Sequence, residues 1–90
     1  MNETDWRNQA LQDGYDDVIS IHWAPGFFHE AHTHNFRANL FIVSGSMVIT
    51  TDDEEITCDA GDIRTLDAGL QHSELVGSDG VSFLLARKTG

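Results

Sequence analysis

Clusters of turn-forming residues interrupt this chain at short intervals, and they limit what it can fold into. "DGYDD" (13–17), "APG" (24–26), "SGS" (44–46), "TDDEE" (51–55), "DAGD" (59–62), "DAG" (67–69) and "GSDG" (77–80) punctuate the sequence. The segments between them are short, and many are β-branched or aromatic: "VISIHW", "LFIV", "MVIT", "EITC", "IRTL" and "VSFLLA". Short strands at this spacing predict an all-β sandwich or barrel. Residues 2–12, "NETDWRNQALQ", are the exception and read as one or two helical turns or a loose arm. There Trp6, Ala10 and Leu11 are placed to pack on a sheet.

Within the β region, "ANLFIVSGSMVITTDDEEITC" reads as two consecutive hairpins. Gly45 supplies the first turn, since a positive φ costs glycine little, and Asp52 and Asp53 mark the second. "LFIV" is apolar on both faces, which predicts a central strand rather than an edge. Ninety residues form a single domain, and a core of that size gains from dimerisation. No repeat, linker or low-complexity tract divides the chain.

Charge excludes some partners. Fifteen Asp plus Glu stand against five Lys plus Arg, a net −10 at pH 7. That sign repels a phosphate backbone and an anionic membrane surface, so neither nucleic acid nor membrane is an expected partner. No apolar run approaches the ~18–20 residues of a membrane span, and "MNETDWRNQ" lacks the pattern of a signal peptide. With Cys58 as the one cysteine, no intramolecular disulfide forms, and the expected compartment is the cytoplasm.

Three of the five histidines lie in "HEAHTHNF", residues 29–36. If 31–36 is extended, His32 and His34 point to the same face, because strand side chains alternate. Two imidazoles so placed suit one metal ion, and His72 in "AGLQHSEL" is the candidate third ligand. Taken alone, a His-x-His pair is weak and is more often a surface feature.

The glycines around the histidines strengthen it, and here the chain resembles the cupin superfamily, in particular its small single-domain members. The usual first cupin motif runs from a glycine through His-x-His to a glutamate and a closing glycine. Gly26, His32, His34 and Gly45 match it in register. The second motif runs from a glycine through Pro-x-Gly to a histidine and an asparagine. Gly61, Gly69 and His72 match it without a gap. The resemblance covers about residues 18–87, leaving 1–17 as an N-terminal arm. It implies a small antiparallel double-stranded β-helix, a jelly-roll barrel with the ligands projecting inward from its strands. Gly45, Gly61 and Gly69 would serve turns.

The departures are specific. The motif's glutamate falls at Ala38, its proline at Asp67 and its asparagine at Val76, and residues 31–51 contain no Asp or Glu. The implied centre is therefore a three-histidine site, His32, His34 and His72, holding one divalent transition metal (Fe, Ni, Zn or Mn). Glu74 and Glu30 lie two residues from His72 and His32 and share their faces in a regular strand. Both are expected to be exposed charges, with Glu74 the better candidate for a fourth ligand or a proton-handling catalytic group. His22 and His29 are expected at the surface or rim, Arg37 in an external salt bridge, and Cys58 in the packing. Most of Trp23, Phe27, Phe28, Phe36 and Phe41 should be core, with Phe36 and Phe41 shaping a pocket. The expected function is metal-dependent chemistry on a small molecule, of dioxygenase or isomerase and lyase type. Alternatives are a sensor module that binds a ligand unchanged, and a barrel with a relic metal site. A homodimer is the expected assembly.

Overall fold

The computed structural model describes residues 2–89. One helix, α1 (Glu3–Gln12), precedes six strands: β1 (Asp17–Trp23), β2 (Phe28–His32), β3 (Arg37–Thr51), β4 (Glu55–Asp59), β5 (Ile63–Leu66) and β6 (His72–Lys88). All pairings are antiparallel and join into one continuous six-stranded sheet. Two long strands organise it. In one half, the first part of β6 lies between β2 and the last part of β3, with β4 beyond. In the other half, the last part of β6 lies between β1 and the first part of β3, with β5 beyond. The halves face each other and enclose a core that includes Leu40, Ile42, Met47, Ile49, Val76 and Phe83. This is an all-β barrel, as the strand spacing predicts, and specifically the double-stranded β-helix that the cupin resemblance implies.

The hairpin predicted at Gly45 does not form. β3 runs unbroken through "SGS", and its pairing with β6 shifts register between Ile42 and Ser44 and again between Gly45 and Met47. A strand bent this way passes from one half of the sheet to the other. Gly45 is required for a different reason from the one its turn signal suggests. Its φ is +74°, and a Cβ there would lie 2.0 Å from the carbonyl oxygen of Gly80 on β6. The two strands cross over at a backbone contact that admits no side chain. The second predicted turn is present: Thr51 N–H donates to the Glu54 carbonyl at 2.9 Å, closing the β3–β4 hairpin around Asp52 and Asp53.

"NETDWRNQALQ" forms a full helix rather than a turn or a loose arm. Asn2 caps it, its side-chain oxygen accepting from the Asp5 N–H at 2.8 Å, and Glu3 and Asp5 complement the N-terminal dipole. Its buried face, Trp6 and Ala10, covers Phe41, Leu84 and Ala86 on the outer side of the sheet, and Trp6 meets Phe41 edge-on at 5.7 Å. Leu11 instead faces solvent. This cover explains why "LFIV" and "VSFLLA" are apolar on both faces: one face lines the barrel and the other lies under α1. Losing a buried side chain of Trp6's size costs about 3–5 kcal/mol, so the helix is part of the fold's stability.

Gly26 offers a control for the crossover, because its φ is also +74° but a Cβ there meets nothing within 4 Å. Gly26→Ala is expected to cost about 1–2 kcal/mol, the strain of a left-handed residue. Gly45→Ala adds the collision with Gly80 and should cost a further 1–3 kcal/mol or so. Urea unfolding of the two variants, side by side, measures the difference.

Candidate metal centre

Two imidazoles are oriented by the same local device. At the end of β2, His32 Nδ1 lies 2.5 Å from the Glu30 carbonyl. At the start of β6, His72 Nδ1 lies 3.0 Å from the Leu70 carbonyl. A carbonyl only accepts, so Nδ1–H donates in each ring and Nε2 is left facing the Glu74 carboxylate. His32 and His72 meet across the β2–β6 pairing, with ring centroids 4.4 Å apart.

His34 completes the group from outside a strand. β2 ends at His32, so residues 31–36 are not continuously extended. The His34 carbonyl accepts from the Gly69 N–H at 2.8 Å, and its ring stacks on Phe36 at 4.7 Å. His34 lies 4.6 Å from His32 and 5.4 Å from His72, centroid to centroid. One ligand nitrogen from each of His32, His34 and His72 falls within 4.8 Å of the others. The three residues selected from the sequence are therefore brought together.

Burial, and then the neighbouring His32 and His72, push the His34 pKa down and favour the neutral ring that metal ligation requires. His72 is shifted the other way. The Glu74 carboxylate raises its pKa most, the Leu70 carbonyl adds to that, and burial opposes both.

Glu74 departs from expectation. It is 6% exposed, so it is not a surface charge. Its Oε1 lies 3.3 Å from His32 Nε2 and 3.3 Å from His72 Nε2. The sequence contains the signal, since Glu74 is two residues from His72 on one strand and shares its inward face. Glu30 is exposed as expected and contributes its backbone carbonyl. His29 sits at the rim, but its ring stacks on His32 at 3.9 Å and its Nδ1 lies 3.8 Å from Glu74 Oε1. An odd spacing should put residues 29 and 32 on opposite faces. The register shifts between them, and this irregularity sets both rings on the same side. His29, His32 and Glu74 form a second candidate ligand group that shares His32 with the first.

The cavity around these groups has a volume of about 130 Å³. Its walls are apolar, among them Ile21, Trp23, Phe36, Ala38, Leu40, Leu66 and Phe83. Phe36 lines it as predicted. Phe41 does not, because alternation along β3 turns it outward against Trp6. Phe27 and Phe28 are also not core, at 41% and 54% exposed. Arg37 pairs with Asp67 at 3.4 Å on the exterior, and His22 bonds Ser82 Oγ at 2.8 Å on the outer surface. A larger concavity of about 610 Å³ lies elsewhere, along Asp13, Tyr15, Arg37 and Lys88. It is an open groove, and its cations already have partners in Asp67 and the Asp13 carbonyl.

Comparison with solved structures agrees with this architecture. A structural-genomics protein of unknown function from Rhizobium leguminosarum superposes with a TM-score of 0.77 at 18% identity, over 81% of this chain and 69% of its own. A variant of oxalate decarboxylase from Bacillus subtilis gives 0.76 at 26% identity, over 89% of this chain and 23% of its own. A cupin protein from Bacteroides fragilis gives 0.70 at 26% identity, over 81% of this chain and 64% of its own. The chain thus spans about two thirds of the smaller relatives and under a quarter of the decarboxylase. No family model matches the sequence, and no curated protein matches it significantly. The fold is that of a small cupin.

Cys58 takes no part in the site. It is fully buried, and burial raises its thiol pKa. Alkylation of the native protein with iodoacetamide at pH 8 should therefore be at least about 100-fold slower than in denaturant, since it has to await opening of the fold. Mass spectrometry of the labelled chain reads the rate.

Proposed function

We propose that this chain binds one divalent transition metal through His32, His34 and His72, and that the centre binds or transforms a small molecule held in the barrel. The observation that carries this is the convergence of three ligand nitrogens within 4.8 Å, two of them on rings whose other nitrogen is tied to a backbone carbonyl. The donor set fits a metal of the iron, nickel, zinc or manganese type. Buried His32 Nε2 has no hydrogen-bond partner, which is the state of a ligand atom aimed at an ion. Among the structural relatives, Bacillus subtilis oxalate decarboxylase has Mn(II) centres.

When bound, the metal supplies a Lewis acid that draws and polarises an oxygen-bearing ligand. The chain supplies the rest. His32 and His72 are held in orientation by backbone carbonyls, and Phe36 backs His34. Apolar walls exclude water and strengthen electrostatic interactions inside. The cavity, of about 130 Å³ and mostly apolar, suits a small ligand. A second reading, a barrel with a relic site, draws on Ala38, which offers no donor at the position of the usual cupin glutamate.

The reading includes a homodimer in the cytoplasm. Its support is an apolar strip on the outer face of the sheet, where Phe28 and Leu75 pair directly and remain 54% and 49% exposed. Among the described residues no helix is long and apolar enough to cross a membrane. Sedimentation should give a mass near twice the chain's 10.0 kDa.

Elemental mass spectrometry of protein purified without a His-tag is expected to find near-stoichiometric metal. It should be absent from the His32/His34/His72→Ala variant. His34→Ala alone should lower metal affinity by more than about 100-fold while the circular dichroism spectrum stays native. A folded His34→Ala protein that retains the parent's metal affinity overturns the assignment.

A further inference from the structure

We propose that Glu74 is itself a ligand of the metal, making the centre three imidazoles and one carboxylate. The inference rests on the metal-binding reading above and adds the group that sets the charge of the site.

The Glu74 side chain is 7% exposed, and Oε1 is buried with no hydrogen-bond partner. A carboxylate in that condition carries a large desolvation cost unless a positive charge answers it. Among the described residues no Lys or Arg lines the cavity and Glu74 is its one carboxylate, so the answering charge comes from the imidazoles around it or from an ion they hold in common. Oε1 is equidistant, at 3.3 Å, from His32 Nε2 and His72 Nε2. Ligand atoms bound at ~2.0–2.1 Å to one ion, at angles between octahedral and tetrahedral, lie about 2.8–3.4 Å apart. Oε1 and His32 Nε2 have this spacing, yet neither has a hydrogen-bond partner. That spacing, without a hydrogen bond between them, is the one two ligands of a single ion adopt, and His29, His32 and Glu74 offer ligand atoms within 4.8 Å of one another. His29, stacked on His32 with Nδ1 3.8 Å from Oε1, flanks the carboxylate on the rim side. A bound carboxylate reduces the net charge of a divalent centre from 2+ to 1+. The preferred ligand is then neutral or singly charged, rather than a dianion.

The test uses Co²⁺ alone as probe on the chelator-stripped full chain. Calorimetry and visible d–d absorption are recorded for the wild type, Glu74→Gln, Glu30→Gln and His72→Ala. The wild type should bind one Co²⁺. Glu74→Gln should bind at least about 10- to 100-fold more weakly with an altered d–d band, and Glu30→Gln should match the wild type. Thermal melts of the stripped proteins establish that each variant is folded. Infrared difference spectra of the wild type with and without Co²⁺ need no variant: a shifted carboxylate stretch is expected, and its absence overturns the proposal. If Glu74→Gln keeps the wild-type affinity and spectrum while His72→Ala loses both, Glu74 is not a ligand and the histidine site stands. If the wild type takes up no Co²⁺, or His72→Ala binds it unchanged, the metal-binding reading fails and this inference with it.

Discussion

The pairing of β3 with β6 is the contact on which the rest of the molecule depends. The two strands run beside each other through both halves of the sheet, and every other strand pairs with one of them. Their shared bend, where Gly45 passes against Gly80, turns one ribbon into two facing layers. The site follows from that bend. Before it, β6 presents His72 and Glu74 inward; after it, the same strand presents Phe83 as part of the opposing wall. A straight pair would leave these groups on one surface with no cavity between them.

Acidity and burial act in opposite directions on whatever enters that cavity. A chain of net charge −10 raises the local concentration of cations and slows the approach of anions. Inside, the walls are hydrocarbon and the polar groups are imidazoles and one carboxylate, so interactions with a charge at the centre are little screened. The exterior thus favours the approach of a cation to the histidine cluster, and among the described residues no Lys or Arg lines the cavity to draw in an anion. Arg37, the basic residue nearest the histidine segment in sequence, is committed to Asp67 outside.

Much of this was legible in the sequence. Most of the turn clusters marked the ends of elements, although "SGS" and "GSDG" lie inside β3 and β6, and the histidine motifs marked the cluster of His32, His34 and His72 that the fold brings together. What was hidden depended on tertiary contact. "SGS" carries the composition of a turn, but whether a glycine reverses a strand or bends it depends on what packs against it, here the Gly80 carbonyl. Phe41 looked like a pocket residue because nothing local shows that α1 covers the outer face. His29 sits at the rim as expected, but its contact with His32 and Glu74 comes from an irregularity in register, which period-two counting does not see. Glu74 differed in kind. Its shared face with His72 was readable, but a carboxylate near a strand end is ordinarily solvated, and only the enclosing rings reveal that this one is not.

The position of Glu74 also has a structural logic. A carboxylate at residue 38 would reach the histidines from β3, and its distance to His72 would depend on how two strands are bent and registered. Glu74 is on the same strand as His72, and the pleat of β6 alone sets their separation. Small changes in barrel curvature then move both groups together. The cost is reduced freedom, because neither residue can shift without the other. At residue 38 the alanine is buried in the core cluster and lines the cavity of about 130 Å³, so a longer side chain there would occupy part of that space. Supplying the carboxylate from β6 keeps that space for the ligand, which in a barrel this small is the scarcer resource.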